Sequence, residues 1–346
     1  MTKPLAVIGY IGTNTNLTEA TSLISTELAA MARVLERCGY DARLAQHDYK
    51  PNPNRRNVGV ETGIQRWDRK TPVDLVWLHQ GPPNFFGGPD EDHCGQIGVL
   101  GEALQTAKKV YRLVVDNNES MKHSCVFGLR RNNACDGFLL AADGIEKAIE
   151  RGIWYEVGHP EARDVGAGMP FIRCNAVFAE QLMLTKELLG CSKEKEYDFC
   201  YVGTSRANTK KQEARLKSLE GYLEHPNSFY TGSLFKKRST FSKCWDAMGN
   251  SKAHLIVREP SMGQLPLHRY MQALVCEALP IVLNEPTAVE FIHNQDLQDI
   301  LRVTFYEEGA ALVKRYDELR PLILEERDFW LRYSFSYLPP GANGGV

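Results

Sequence analysis

The stretch YDFCYVGTSRANTKK, residues 197–211, decides the fold. Its first half is an apolar, aromatic run of strand length that stops at Gly203, and its second half is polar, basic and helix-opening. A strand that turns through glycine into a helix starts a β-α series, and this one starts past the middle of a 346-residue chain. After it we read a helix near 208–221, the strand SFYTG, a helix near 238–248 and the strand AHLIVRE. A helix near 266–277, the strand LPIVLN and closing helices from 286 to 334 complete the series. Before it come the strands PLAVIGY, DARLAQ, VDLVWLH, KVYRLVVD and CDGFLLAA, with helices over 18–38, 95–108 and 143–151. Such alternation predicts an α/β protein with parallel sheets.

The segment from 156 to 195 joins the two series and opens on the Gly- and Pro-rich VGHPEARDVGAGMP. We therefore expect two Rossmann-like domains facing across a central cleft. Residues 1–172 form the first, completed by a C-terminal helix at 331–346, and residues 176–330 form the second.

Composition narrows the class. Hydrophobic residues make up 43% and charged residues 24%, the profile of a globular protein. No apolar run approaches the roughly 20 residues of a membrane span, so no membrane partner is expected. The start, MTKPLAVIGYIG, reads as a first strand and not as a leader. Nine cysteines without a CxxC pair, several inside apolar runs, fit reduced core thiols in a cytoplasmic compartment. His93-Cys94 and His123/Cys125 lack the second half of a zinc site, so no metal ligands are assigned. A net charge of −2 gives no molecule-wide basic field, and the basic clusters (Arg55-Arg56, Lys210-Lys211 and Lys236-Lys237-Arg238 among them) read individually as solvated faces.

Ligands of open parallel sheets bind beyond the carboxyl ends of the strands, so the residues just after each strand carry the functional reading. Gly203 permits a tight turn, while Arg206 and Lys210 add positive charge to a helix start. A phosphate fits that arrangement; so does an ordinary basic surface helix. Arg269 and Gln272, three apart in PLHRYMQALVCEALPIVL, share a helical face that either meets a ligand or faces water. Asp116 ends the strand KVYRLVV, as a candidate general base or a plain turn residue. Glu27 lies in the first helix. Asn84, Phe85, Phe86 and Gly87 follow the strand VDLVWL, and the phenylalanines either line a binding site or plug the end of the sheet.

Taken in order, these pieces resemble the DNA β-glucosyltransferases of T-even bacteriophages, two-domain enzymes of the GT-B fold. NFFGG at 84–88 matches that family's strand-end loop residue for residue. Ser25-Thr26-Glu27 is similar to its Ser-Ser-Glu helix start, and YVGTSR with Lys210 to its Gly-Ser-Phe-Arg…Arg phosphate loop. FYTG at 229–232 and LHRYMQALVCEALPIVL resemble two further elements, and the likeness runs from about residue 5 to about 320. Two positions depart. Lys210 replaces an arginine and loses bidentate geometry, and Gln272 replaces a ribose-binding glutamate.

The resemblance implies transfer of glucose from UDP-glucose, with inversion, to 5-hydroxymethylcytosine in phage duplex DNA inside an infected bacterial host. Asp116 is the implied base. Glu27, Gly203, Arg206, Lys210, Arg269 and Gln272 are the implied UDP-sugar contacts, with Mg2+ or Mn2+ as an optional aid to the diphosphate. Asn84, Phe85, Phe86 and Gly87 are the implied acceptor-pocket residues, set to hold a base flipped out of the duplex. A monomer suffices. The rivals are a GT-B transferase acting on a non-DNA acceptor or on a sugar already attached to DNA, and a nucleotide-binding module without catalysis.

Overall fold

The computed structural model describes residues 3–11, 23–46, 62–80, 91–114, 135–158, 170–191, 194–203, 217–231, 239–257, 267–283, 292–301 and 306–338. The chain divides into two units. Unit 1 is Met1–Gln181 with Ser334–Val346, and unit 2 is Leu182–Tyr333. Each is an α/β body around one parallel sheet.

In unit 1 the sheet has six strands: β1 (Leu5–Ile11), β2 (Asp41–Leu44), β3 (Leu75–Gln80), β4 (Lys109–Val114), β5 (Trp154–Gly158) and β6 (Phe171–Arg173). Their order is β2-β1-β3-β4-β5-β6, every pair parallel. β1, LAVIGYI, is buried along its whole length, as expected of a strand covered on both faces. Alternation assigns its side chains to two cores. Ala6, Ile8 and Tyr10 pack with α1 (Leu23–Arg37) and the start of α4 (Ala176–Leu189). Leu5, Val7 and Ile11 pack with α2 (Glu91–Thr106) and α3 (Asp136–Glu150).

Three sequence expectations change in this unit. CDGFLLAA is not a strand. Residues 136–150 form α3, which buries Phe138, Ala141, Ala142, Ile145 and Ala148 at helical spacing. A short apolar run fits either element until the positions beyond it reveal its period. Two strands not expected from the sequence, β5 and β6, follow α3. The thiols are also not all free, because Cys94 and Cys135 form a disulfide between α2 and the residue capping α3. Glycines bring those helices close: a Cβ on Gly101 would stand 2.8 Å from the Ala141 nitrogen. Finally, over its described residues the segment 331–346 is not a separate helix. Those positions begin as the last turn of a longer helix ending at Phe335, and residues 336–338 are not helical.

Unit 2 has a four-stranded parallel sheet in the order β10-β9-β7-β8, from β7 (Tyr197–Val202), β8 (Ser228–Thr231), β9 (Ser251–Val257) and β10 (Leu279–Leu283). Its helices are α5 (Phe241–Gly249), α6 (Leu267–Val275), α7 (Gln295–Ile300), α8 (Tyr306–Lys314) and α9 (Tyr316–Phe335), the last crossing into unit 1 at Ser334. α6 leads into β10 through Glu277, a non-glycine residue at φ 57°. That left-handed turn is held by ion pairs from the Glu277 carboxylate to Lys186 (3.0 Å), Arg320 (2.6 Å) and Arg327 (3.4 Å). A second carboxylate, Glu326 of α9, is wholly buried. It accepts hydrogen bonds from the Tyr270 hydroxyl, the Trp330 indole and the backbone N–H groups of His293 and Asn294.

Candidate functional site

Each sheet reverses its strand order once, and ligands of doubly wound sheets bind at the carboxyl ends of the strands flanking such a reversal. In unit 1 the reversal lies between β1 and β3, and in unit 2 between β7 and β9.

At the β1/β3 reversal, Tyr10 and His79 are register partners near the carboxyl ends of their strands, with ring centroids 5.5 Å apart. Both face α1. From that helix the Glu27 carboxylate reaches His79, Oε2 to Nε2, at 2.7 Å. Glu27 is 3% exposed and His79 5%, so this is an acid–imidazole pair away from water. A carboxylate accepts only, which sets the imidazole proton on Nε2 and leaves the Nδ1 lone pair bare. Among the described residues Nδ1 has no hydrogen-bond partner. Burial first, and then the charge of Glu27, push the Tyr10 phenol up to about 12, so it stays protonated. The flanking positions are polar and buried as well: Ser25, Thr26, Asn175 and Gln181, with the Gln181 amide donating to Thr26 Oγ1 at 3.1 Å. Asn175, just beyond β6, is 2% exposed, and among the described residues neither its amide nitrogen nor its oxygen is bonded. Buried polar groups are nearly always paired, so these two side chains make the carboxyl end of this sheet a candidate site.

At the β7/β9 reversal, β7 runs into Gly203, whose N–H donates to the Thr231 carbonyl at 3.2 Å. A Cβ at Gly203 would stand 2.5 Å from the Tyr201 hydroxyl, so a side chain there is resisted by the Tyr201 ring. On α6, Arg269 donates from Nη1 to Gln272 Oε1 at 2.9 Å. Gln272 is buried and Arg269 partly buried. Together with Cys200, Val202, Met248, His254, Leu255 and Ile256 they line a cavity of about 20 Å³, room for one oxygen-sized group. Among the described residues no carboxylate lies within ion-pair distance of Arg269; burial lowers its pKa, while Tyr201, Cys200 and Cys244 oppose that shift. Burial likewise carries His254 down to about 4, so it sits there neutral, hydrogen-bonded to the Met248 carbonyl at 2.9 Å. Among the described residues the one hydrogen-bond partner of this guanidinium is an amide, an arrangement with room for an anion.

The structure brings together Arg269 and Gln272 in unit 2, places Gly203 just after β7, and gives Glu27 a partner in unit 1. Asp116, Arg206, Lys210, Asn84, Phe85, Phe86 and Gly87 lie outside the described residues. β4 ends two positions before Asp116, and β3 four before Asn84. Sequence reading missed His79, Tyr10 and Asn175. The signal present was a histidine closing the strand VDLVWLH, which periodicity alone treats as a strand end. No group of three or more His, Cys, Asp or Glu arranged to hold a metal occurs among the described residues, and none of the described helices is long and apolar enough to cross a membrane. No family model, curated protein or solved structure matches this chain.

Proposed function

We propose that this chain is an inverting UDP-sugar transferase of GT-B architecture, moving glucose to the hydroxymethyl group of 5-hydroxymethylcytosine in phage duplex DNA. The observation that carries this reading is Arg269: a partly buried cation without a carboxylate partner among the described residues, lining a small cavity with Gln272 and the β7 residues Cys200 and Val202. Departure of UDP leaves negative charge on the diphosphate, and a preorganised guanidinium in a poorly solvated place stabilises it where it forms. One phosphate oxygen fits the small cavity. Gln272 would hold a ribose hydroxyl, and Arg206 and Lys210, on the segment after Gly203, would add charge. Attack by the hydroxymethyl oxygen needs a base. The resemblance assigns that role to Asp116.

Such an enzyme must extrude its target base, at a cost of a few kcal/mol, and the Asn84-Phe85-Phe86-Gly87 segment would supply rings and close backbone approach. The near-neutral net charge of −2 favours a second reading, the same transfer to an acceptor other than DNA. UDP release from a panel of UDP-sugars decides between them, with duplex DNA carrying cytosine, 5-hydroxymethylcytosine or 5-hydroxymethyluracil. Turnover on a hydroxymethylated duplex alone supports the DNA reading. UDP-sugar binding with no DNA-stimulated turnover removes the DNA acceptor.

A further inference from the structure

We propose that Cys191 is a site of oxidation by hydroperoxides and that Cys276 resolves it, the two thiols closing into a reversible disulfide within unit 2. This chemistry is separate from sugar transfer. Cys191 follows α4 through Gly190, whose left-handed conformation at φ 77° ends that helix. Cys276 follows α6 and precedes the turn at Glu277. The two are 85 residues apart in the chain. In the fold the Cys276 thiol donates a hydrogen bond to the Cys191 sulfur, which also lies 3.6 Å from the Cys276 carbonyl oxygen. Access is unequal, since Cys191 is partly exposed and Cys276 wholly buried. A reagent in solution meets Cys191 first and reaches Cys276 only through it.

Charge favours the same order. Lys195 donates to the carbonyls of Gly249 (2.6 Å) and Cys276 (2.7 Å), the same two oxygens that flank the Cys191 sulfur at 3.6 Å. Its ammonium therefore stands close to that sulfur, and Lys186 of α4 adds a second positive charge, opposed by its own partner Glu277. The bond from Cys276, and then the lysines, carry the Cys191 thiol down to about 6 against burial. That bond, together with burial, pushes Cys276 well above the ordinary thiol range. One member of the pair is thus the attacking thiolate, while the other keeps its proton. At Cys38, Cys174 and Cys200 burial dominates and pushes the thiol up, so those three are poor targets.

The steps balance with hydrogen peroxide as the oxidant. The Cys191 thiolate attacks one peroxide oxygen, and the O–O bond breaks. The departing hydroxide takes up the proton that Cys191 had given to solvent, leaving water and a sulfenic acid. The Cys276 sulfur then attacks the Cys191 sulfur, and its proton leaves with the displaced hydroxyl as a second water. Two thiols lose two electrons, the peroxide gains them, and the products are one disulfide and two waters. A dithiol reductant reverses the bond by exchange. While closed, it ties the end of α6, the helix that carries Arg269, to the segment after α4.

The test is a non-reducing peptide map of the full chain by mass spectrometry, after titration with hydrogen peroxide in the presence of dimedone to trap sulfenic acid. In the parent we expect a new link between Cys191 and Cys276, lost again on treatment with dithiothreitol. In Cys276→Ala, Cys191 should carry about tenfold more dimedone than in the parent, because nothing resolves it. In Cys191→Ser, Cys276 should stay reduced. The proposal is overturned if Cys191 of the parent runs on to sulfinic acid without linking to Cys276, or links to another cysteine. It is overturned equally if Cys244 is oxidised while Cys191 stays reduced, or if Cys276 is oxidised as readily in Cys191→Ser as in the parent. Should either variant fail to fold, the map of the parent decides alone. No readout uses a UDP-sugar, so the result stands or falls apart from the transferase reading.

Discussion

The two strand-order reversals are built from opposite electrostatics. At β1/β3 the charges come as a pair, Glu27 against His79, and what is missing is a partner for one ring nitrogen. At β7/β9 a single cation, Arg269, leans on an amide, and what is missing among the described residues is an anion. The first arrangement keeps its acid against an imidazole, away from water. The second keeps a guanidinium, which holds its proton near neutrality, against a neutral amide. One fold plan, used twice, thus carries a paired acid in unit 1 and, among the described residues, a cation without a carboxylate in unit 2.

The largest effect that tests this contrast is on stability. Glu27→Ala strips a buried imidazole of its partner and should cost unit 1 about 3–5 kcal/mol, read as a lower Tm in calorimetry, with UDP affinity unchanged. Arg269→Met should behave in the reverse sense. Affinity for UDP should fall about 10- to 100-fold by titration calorimetry, while Tm holds or rises, because a cation held without a carboxylate is replaced by a packing side chain. A fall in Tm for Arg269→Met would make that residue structural and erase the contrast.

Acid acts next, within unit 2. His254 is neutral in the fold, with its pKa at about 4 against 6.5 for a free histidine. The unfolded chain therefore takes up the proton first, and stability falls as pH drops from 6.5 toward 4, by roughly 3 kcal/mol. Glu277 adds a lower window. Burial alone would raise its pKa, but the bonds and charges of Arg320 and Lys186 carry it to about 2. Its contribution is complete above 4.5 and disappears between there and about 2. His254→Gln should flatten the upper window of the denaturant-midpoint curve and leave the lower one.

The smallest effect is chemical. Cys191 is held down at about 6 by a hydrogen bond from the Cys276 thiol and by the Lys195 ammonium, whereas burial pushes Cys244 up. At pH 7 iodoacetamide should label Cys191 several-fold faster than Cys244, as peptide mapping by mass spectrometry would show.

Much of the fold was legible because strands covered on both faces are written as apolar runs: LAVIGYI, LVWL and LPIVL are strands in the sequence and in the structure. The misreading at 135–142 has the same origin. FLLAA is apolar enough for a strand, and its helical period shows only when Ile145 and Ala148 are included. At the sites, the Arg269–Gln272 contact was legible because the two stand three apart on one helix, and the turn at Gly203 because it closes an apolar strand. The Glu27–His79 pair was not, since its members are 52 residues apart and meet only through the parallel pairing of β1 with β3. The disulfide was hidden for a similar reason, as the α2–α3 crossing depends on glycines in both helices.

The carboxylate of Glu326 has a consequence for when unit 2 opens. Its oxygens hold the N–H groups of His293 and Asn294, and through Tyr270 they also fix α6, the helix that carries Arg269. Those two amides can exchange hydrogen with solvent only when α9 leaves its place, which abandons a carboxylate in the core. Their exchange times should therefore match the slowest strands of β9 and β10, so that two residues in an irregular segment report the global opening of the unit that holds the anion.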